Sequence, residues 1–262
     1  MPREWRSSEY HRLSDPQFGW GIKVLKKLQA FPLRGNEHIL DAGCGSGRVT
    51  AELLKAFPRA RVTALDASEN MVNEARKSLA AFSDRVLMER MDLLDLSSEQ
   101  SFDVVFSTAV FHWIKDHPKL FANLFRSMRP GGLLLAQCGG GANLKRLRDR
   151  TDRVVDLPQF APYFQNWRKL WEYPNPEVTA ERLEHAGFIE VHTALEEEPA
   201  TLADEQTFRA FCATVTLGPY MDRLPEDLQD SFLDPLVQEA VQDDPPFTLD
   251  YWRLNMQARR AG

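Results

Sequence analysis

Three cysteines, Cys44, Cys138 and Cys212, are all that 262 residues contain, and they are odd in number, far apart and in no CxxC pair. A disulfide framework or a zinc knuckle therefore has no support, and each thiol reads as a small buried apolar side chain. Long apolar runs are missing too. None exceeds four residues, as in LLLA at 133–136, whereas a membrane span needs about 18. The N-terminus MPREWRSSEYHRLSDPQF has charges with no apolar core behind them, which reads against a signal peptide and for a cytoplasmic protein with no membrane partner. Repeats and low-complexity tracts are lacking. His11, His117 and His185 show no metal-ligand spacing and read as structural, so no metal is expected.

What is present suits a large globular domain. Hydrophobic residues make up 43% and charged residues 27%, enough to bury a core without staples. At about 150 residues per domain the length lies between one and two domains, which suits one α/β domain with insertions. The net charge of −6 is uneven, because residues 196–250 hold fourteen Asp/Glu against Arg209 and Arg223. That local −12 repels phosphate backbones, and the basic cluster Lys145, Arg146, Arg148, Arg150, Arg153 is short and lacks interleaved aromatics, so nucleic acid is not an expected partner. The cluster reads as a solvated helix face.

From 37 to 138 short apolar runs alternate with amphipathic stretches. HILDAG (38–43), RVTALD (61–66), RVLMER (85–90), FDVVFS (102–107) and GLLLAQ (132–137) read as buried strands, with helical patterns at 48–57, 68–80 and 116–128. Strands and helices in this order build βαβ units, hence a parallel sheet with helices on both faces. After Gly139-Gly140-Gly141 the rhythm changes to an irregular aromatic and proline-bearing stretch over 157–176. A helix over 177–186 then stops at Gly187, and FIEVHTAL (188–195) resumes as a strand of imperfect alternation. PPFTLDYWRLNMQARR (245–260) reads as a closing strand. Between those strands 196–245 is too long for a hairpin loop and too polar for a core of its own. With helical patterns at 203–216 and 225–242 it reads as an inserted cap.

The most informative stretch is HILDAGCGSGRV, where a strand runs into Asp41-Ala42-Gly43-Cys44-Gly45-Ser46-Gly47 and then into a helix. Glycines there permit a tight turn and bring a ligand close to backbone N–H groups at a helix N-terminus, the arrangement that cradles nucleotide-type ligands. The dinucleotide fingerprint GxGxxG would need a small residue where Arg48 stands, and the Walker pattern GxxxxGK[ST] is missing. What remains is GxGxG preceded two residues earlier by an acid.

That form resembles the first motif of the class I S-adenosylmethionine-dependent methyltransferases, and the resemblance extends in order over roughly 37–138. It implies a Rossmann-like α/β fold: a seven-stranded, mostly parallel sheet with helices on both faces, its last strand antiparallel and inserted between the fifth and sixth, plus a helical cap over the carboxyl ends of the strands. It also implies S-adenosylmethionine as cofactor and S-adenosylhomocysteine as product. Carried over by position, Asp66, nineteen residues after Gly47, serves the ribose hydroxyls, Asp92 in MDLLDL the adenine end, and Ser107 and Thr108 the methionine end. Asp41, Gly43, Cys44, Gly45 and Gly47 form the turn, and Ala67, Met71 and Leu93 complete the implied set. A carboxylate accepting two hydrogen bonds suits a diol, and Asp41 suits an ammonium where it would repel a pyrophosphate. The competing reading of the set is coincidental turn and cap chemistry.

YHRLSDPQFGWG, FSTAVFHWIKDHPKLFANLFRSMRPGGLLLAQ, KLWEYPNPEVTAERLEHAGF and TLGPYMDRLPEDLQDSFL are similar to the trans-aconitate methyltransferase group. Related layouts occur in malonyl-acyl-carrier-protein and juvenile-hormone-acid methyltransferases, both of which act on carboxylates. The implied organisation is an N-terminal helical segment over the cofactor (1–30), a binding core (31–138), a cap insertion (139–176), a core helix and strand (177–195), an acidic helical cap insertion (196–245) and a closing strand (246–262). The implied activity is methylation of a small molecule, a carboxylic acid for choice, by in-line SN2 transfer. A carboxylate with pKa ~4 needs no base, so proximity and desolvation would be the main terms.

Several residues keep two readings. A hydroxyl, amine or carbon acceptor of a natural product would need a general base, and His112, just past strand four, stands where one belongs; its other reading is a pocket-edge histidine bonded to backbone. Trp113 either walls the transfer channel or packs under the cap. Tyr10 and Gln17 either fold over the cofactor, with Gln17 reaching its carboxylate, or belong to an ordinary amphipathic helix. Arg12, Tyr220 and Arg253 are candidates for binding a substrate carboxylate, since a buried anion needs a cation or phenol donors. The cap's charge argues against a polyanionic substrate unless local arginines override it. Ser107-Thr108-Ala109-Val110 is not the [DN]PPY of many amino methyltransferases, which disfavours nucleic-acid or protein acceptors. A catalytically silent cofactor-binding protein is the last alternative. Oligomeric state is not encoded legibly.

Overall fold

The computed structural model describes residues 4–167 and 171–262. Residues 1–3 of the N-terminal segment and 168–170 of the 139–176 insertion, over which the sequence expectations also ran, lie outside the described residues. Helices α1 (Ser7–Leu13) and α2 (Asp15–Gln29) lead into β1 (His38–Ala42), α3 (Arg48–Ala56), β2 (Arg61–Asp66), α4 (Glu69–Ser78), β3 (Val86–Arg90), β4 (Phe102–Thr108), α5 (His117–Ser127) and β5 (Met128–Gly139). There follow α6 (Lys145–Val155), α7 (Pro176–His185), β6 (Phe188–Glu197), β7 (Ala200–Thr201), α8 (Glu205–Phe211), α9 (Gly218–Met221), α10 (Glu226–Ala240), β8 (Thr248–Leu249) and β9 (Trp252–Arg260).

Seven strands form one sheet in the order β3-β2-β1-β4-β5-β9-β6, with β1 to β5 parallel and β9 antiparallel to both neighbours. This is the Rossmann-like arrangement expected, with the closing strand inserted as anticipated. The apolar runs are continuous because the sheet is buried on both faces: Ile39, Val104 and Leu133 enter one layer with Leu28 and Leu53, while Leu40, Val105 and Leu134 enter the other with Leu124 and Leu183. Burial of each such side chain stabilises the fold by roughly 1.5–3 kcal/mol. The chain order reverses between β1 and β4, and in sheets of this kind the crevice outside the carboxyl ends at that point receives ligands.

Some expectations need correction. The imperfect alternation of 188–195 is a bulge between Ile189 and His192, with Glu190 at φ +51°. The helical pattern over 203–216 breaks after Phe211 into a π turn over Cys212–Thr216. The closing strand begins at Trp252, because Thr248–Leu249 is drawn into a separate two-stranded pair with Ala200–Thr201. Nor is the cap too polar for a core: Phe208, Phe211, Phe232 and Leu236 are buried with Leu147 and Phe160 in a cluster apart from the two sheet layers. The reason is pairing. Arg150 and Arg153 of α6, read as a solvated face, donate to Glu239 in the last turn of α10 and to Asp243 just beyond it, Arg150 gripping Asp243 through both guanidinium ends at 2.9 and 2.7 Å. Among the described residues no helix is long and apolar enough to cross a membrane.

Candidate active site

The turn after β1 is forced into shape by its glycines. Gly43 takes φ +93°, and a Cβ there would lie 2.2 Å from Val110, so both conformation and space demand glycine. At Gly45, φ +54°, a Cβ would meet nothing within 4 Å, because the backbone there borders open space. That space is a cavity of about 430 Å³ at the carboxyl ends of β1, β2 and β4. Asp66, at the tip of β2, fixes the turn: one carboxylate oxygen accepts from the Gly45 N–H at 2.9 Å and the other from the Ser68 N–H at 2.9 Å. Burial raises its pKa, with those N–H bonds opposing. Asp41 is buried at the end of β1, accepts from the Thr50 hydroxyl at 2.6 Å, and is pushed up to about 7 by burial, the Thr50 bond opposing and Asp66 adding.

Most of the residues singled out by sequence converge here. Asp41, Gly43, Cys44, Gly45, Asp66 and Asp92 line the cavity, as do Ala67, Met71, Leu93 and Thr108. Tyr10, Gln17 and Trp113 close it from the N-terminal helices and the turn after β4. Asp92 also caps the short turn that follows it, accepting from Leu94 N–H at 2.9 Å. Gly47 and Ser107 do not line the cavity. Gly47, at φ +82°, starts α3, and the buried Ser107 hydroxyl donates to the Ala42 carbonyl at 2.6 Å, tying β4 to β1.

The N-terminal segment is fastened over the cavity. The Glu4 carboxylate accepts from the Ser68 hydroxyl at 2.8 Å and the Asn70 N–H at 3.1 Å at the start of α4, while Arg48 donates to the His11 carbonyl and to Asp15. Trp5, Ser14 and Phe18 of this segment line the cavity, and sequence reasoning passed them over. Trp5 was the legible signal, an aromatic in a charged segment with nothing apolar around it.

A smaller cavity of about 30 Å³ opens behind the first, sharing Trp5, Tyr10, Gln17, Ala109 and Trp113 as walls. His112 and Arg253 line it, together with Asn143, Tyr173, Thr216 and Tyr251, which the sequence did not flag. His112 is buried and its Nδ1 accepts from the Gly139 N–H at 3.3 Å. Burial, with Arg253 and His117 adding, holds its pKa well below the ordinary range. The ring is therefore neutral, its lone pair is engaged, and its proton is on Nε2. Two candidates fall away. Arg12 is exposed on α1 and lines neither cavity, because α1 turns that face to solvent. Tyr220 is buried in the cap core among Phe164, Trp167 and Phe232, where its ring serves packing.

Comparison with known proteins gives a consistent picture. A family described as "Methyltransferase domain" matches residues 39–132. A trans-aconitate 2-methyltransferase of Deinococcus radiodurans is 29% identical over 88% of this chain and 87% of its own length. A malonyl-[acyl-carrier protein] O-methyltransferase of Xylella fastidiosa is 35% identical over 54% of this chain and 48% of its own length. Among solved structures, phosphoethanolamine N-methyltransferase 2 of Haemonchus contortus, in complex with S-adenosyl-L-methionine, matches 93% of this chain with a TM-score of 0.59 at 21% identity; this chain spans 53% of that one.

Proposed function

We propose, for a chain that belongs to the class I S-adenosylmethionine-dependent methyltransferases, that the methyl acceptor is a carboxylate oxygen of a small acid. The larger cavity fits the cofactor on its own chemistry. The open space over Gly45 admits a ligand against backbone, and at about 430 Å³ the chamber lies in the range of small-molecule sites. Asp66, held by two N–H donors, keeps lone pairs for a diol. Gln17 donates to the Tyr251 hydroxyl at 3.4 Å, while its buried Oε1 has no partner among the described residues. That orphaned acceptor and Asp41 suit an ammonium.

Bound there, S-adenosylmethionine supplies a methyl group already activated on a sulfonium. The chain's own residues then bind, orient and exclude water. Asp66 and Asp92 hold the nucleoside end, and Trp5, Tyr10 and Trp113 screen the region where the two cavities meet. The observation that carries the carboxylate reading is His112: its Nδ1 lone pair is taken by Gly139 N–H, so the imidazole donates through Nε2 and is not poised to remove a proton. An acceptor that is ionised at neutral pH needs no such base. The two curated relatives described above, whose names carry an acid and an acyl thioester, support the same choice.

The test is a product-resolved screen of acids, including trans-aconitate and malonyl thioesters, with mass spectrometry for methyl esters. Ester should form, and His112→Gln should retain kcat within about tenfold. A loss of 10²–10⁴ on that substitution, the usual yield of general acid–base catalysis, would favour the base-dependent natural-product reading.

A further inference from the structure

We infer that the smaller cavity is an anion subsite in which Arg253 holds a second, non-reacting carboxylate of the acceptor, so that the substrate carries at least two carboxylates and the product is a monoester. This rests on the carboxylate-methylation reading and narrows it to a class of acid. Arg253 enters from β9 and is 2% exposed. Its guanidinium lies 4.4 Å over the Trp20 ring, its Nε donates to Gln137 Oε1 at 3.4 Å, and its Nη2 is buried with no partner among the described residues. Its electrostatic neighbours are the Cys138 thiol and the phenols of Tyr251, Tyr173 and Tyr10. A cation removed from water in this way calls for an anion, and here a ligand must bring it.

The size and lining agree. At about 30 Å³ the cavity holds roughly two water-sized groups, which suits the two oxygens of a carboxylate. Tyr10, Tyr251 and the Nε2–H of His112 offer neutral donors beside the guanidinium. The held carboxylate must be the spectator. Methylation removes the reacting carboxylate's charge, so a buried cation paired to it would grip the ground state more strongly than the transition state and slow the step. Paired to a spectator, the same cation keeps its partner throughout. The anion also relieves the objection raised by the acidic cap, whose Glu239 and Asp243 are already engaged by α6 arginines.

The experiment compares chain-matched diacids and monoacids, glutarate with butyrate and trans-glutaconate with crotonate, on the wild type, Arg253→Met and Arg253→Lys. Wild type should show kcat/KM about a hundredfold higher for the diacid. Arg253→Met should erase that preference mainly through KM, and Arg253→Lys should restore part of it. Calorimetry on protein saturated with S-adenosylhomocysteine should show the diacid and its monomethyl ester binding wild type within several-fold of each other, the dimethyl ester not binding, and Arg253→Met binding none. Because the substitution removes a stranded charge, ligand-free Arg253→Met should melt higher than wild type with S-adenosylhomocysteine affinity unchanged. Equal kcat/KM for diacid and monoacid, diacid binding untouched by Arg253→Met, or a lower melting temperature with lost cofactor affinity would each overturn the subsite. Arg253-dependent diacid binding without any ester formed would sustain the subsite and sink the carboxylate-methylation reading instead.

Discussion

Asp41 carries a pH dependence that can be stated with its sign. In the ligand-free protein burial pushes its carboxyl up to about 7 from an ordinary 3.8. An ammonium bound beside it favours the carboxylate, so binding releases a proton below pH 7 and cofactor affinity should fall as pH drops, approaching tenfold per unit. Calorimetry in buffers of differing ionisation heat checks this, and a dissociation constant flat from pH 5.5 to 8 would refute it. For stability the direction is opposite. A folded value above the unfolded one binds protons in the native state, so this group's contribution declines as pH rises from about 4 to about 7. Asp41→Asn should stabilise the ligand-free protein above pH 7, by up to about 4 kcal/mol on a three-unit shift, while weakening cofactor binding. Asp41, Asp66 and Asp92 were legible because each stands at or just past the carboxyl end of its strand, β1, β2 and β3, at the same edge of the sheet. Arg12 and Tyr220 misled because residue type says what a side chain can bind and nothing of where its helix points it.

Among elements, the strands were the most legible and the cap the least. Ile39-Leu40 and Val104-Val105 announce burial on both faces in a single glance at the sequence, whereas the cap's acids find their arginines some 90 residues away: Arg150 meets Asp243 across a separation of 93. Charge counting within a window cannot see such a partner. The bulge at Glu190 and the π turn at Cys212 were equally hidden, since both depend on register with distant neighbours. The α6–α10 clamp is strong enough to measure. Asp243 is 6% exposed at its side chain and Arg150 15%, so Asp243→Ala should cost about 2–3 kcal/mol in denaturant unfolding, below a full buried-pair loss because Glu239 still holds Arg150. A cost under about 0.5 kcal/mol would mark the pair as an ordinary surface contact.

For the whole molecule, the larger cavity joins the N-terminal helices to the tips of three strands, so ligand binding there should be felt globally. At a hundredfold excess over the dissociation constant the folded state gains about 2.7 kcal/mol, which for a chain of this size raises Tm by roughly 5–10 °C. A thermal melt with S-adenosylhomocysteine reads this directly, and no shift at saturation would mean that the chamber is not the binding site. β9 has a different consequence. It is the last strand along the chain yet lies inside the sheet, between β5 and β6, and carries Arg253 to the small cavity. A nascent chain that has not yet emerged beyond Trp252 leaves β5 with an open edge and β6 with no neighbour in the sheet. Acquisition of the sheet, and of the cation we place at the heart of acid selection, is thus one late event during synthesis. A message truncated shortly before that point would yield a polypeptide carrying the entire glycine turn and Asp66, but with a sticky strand edge in place of a selective pocket.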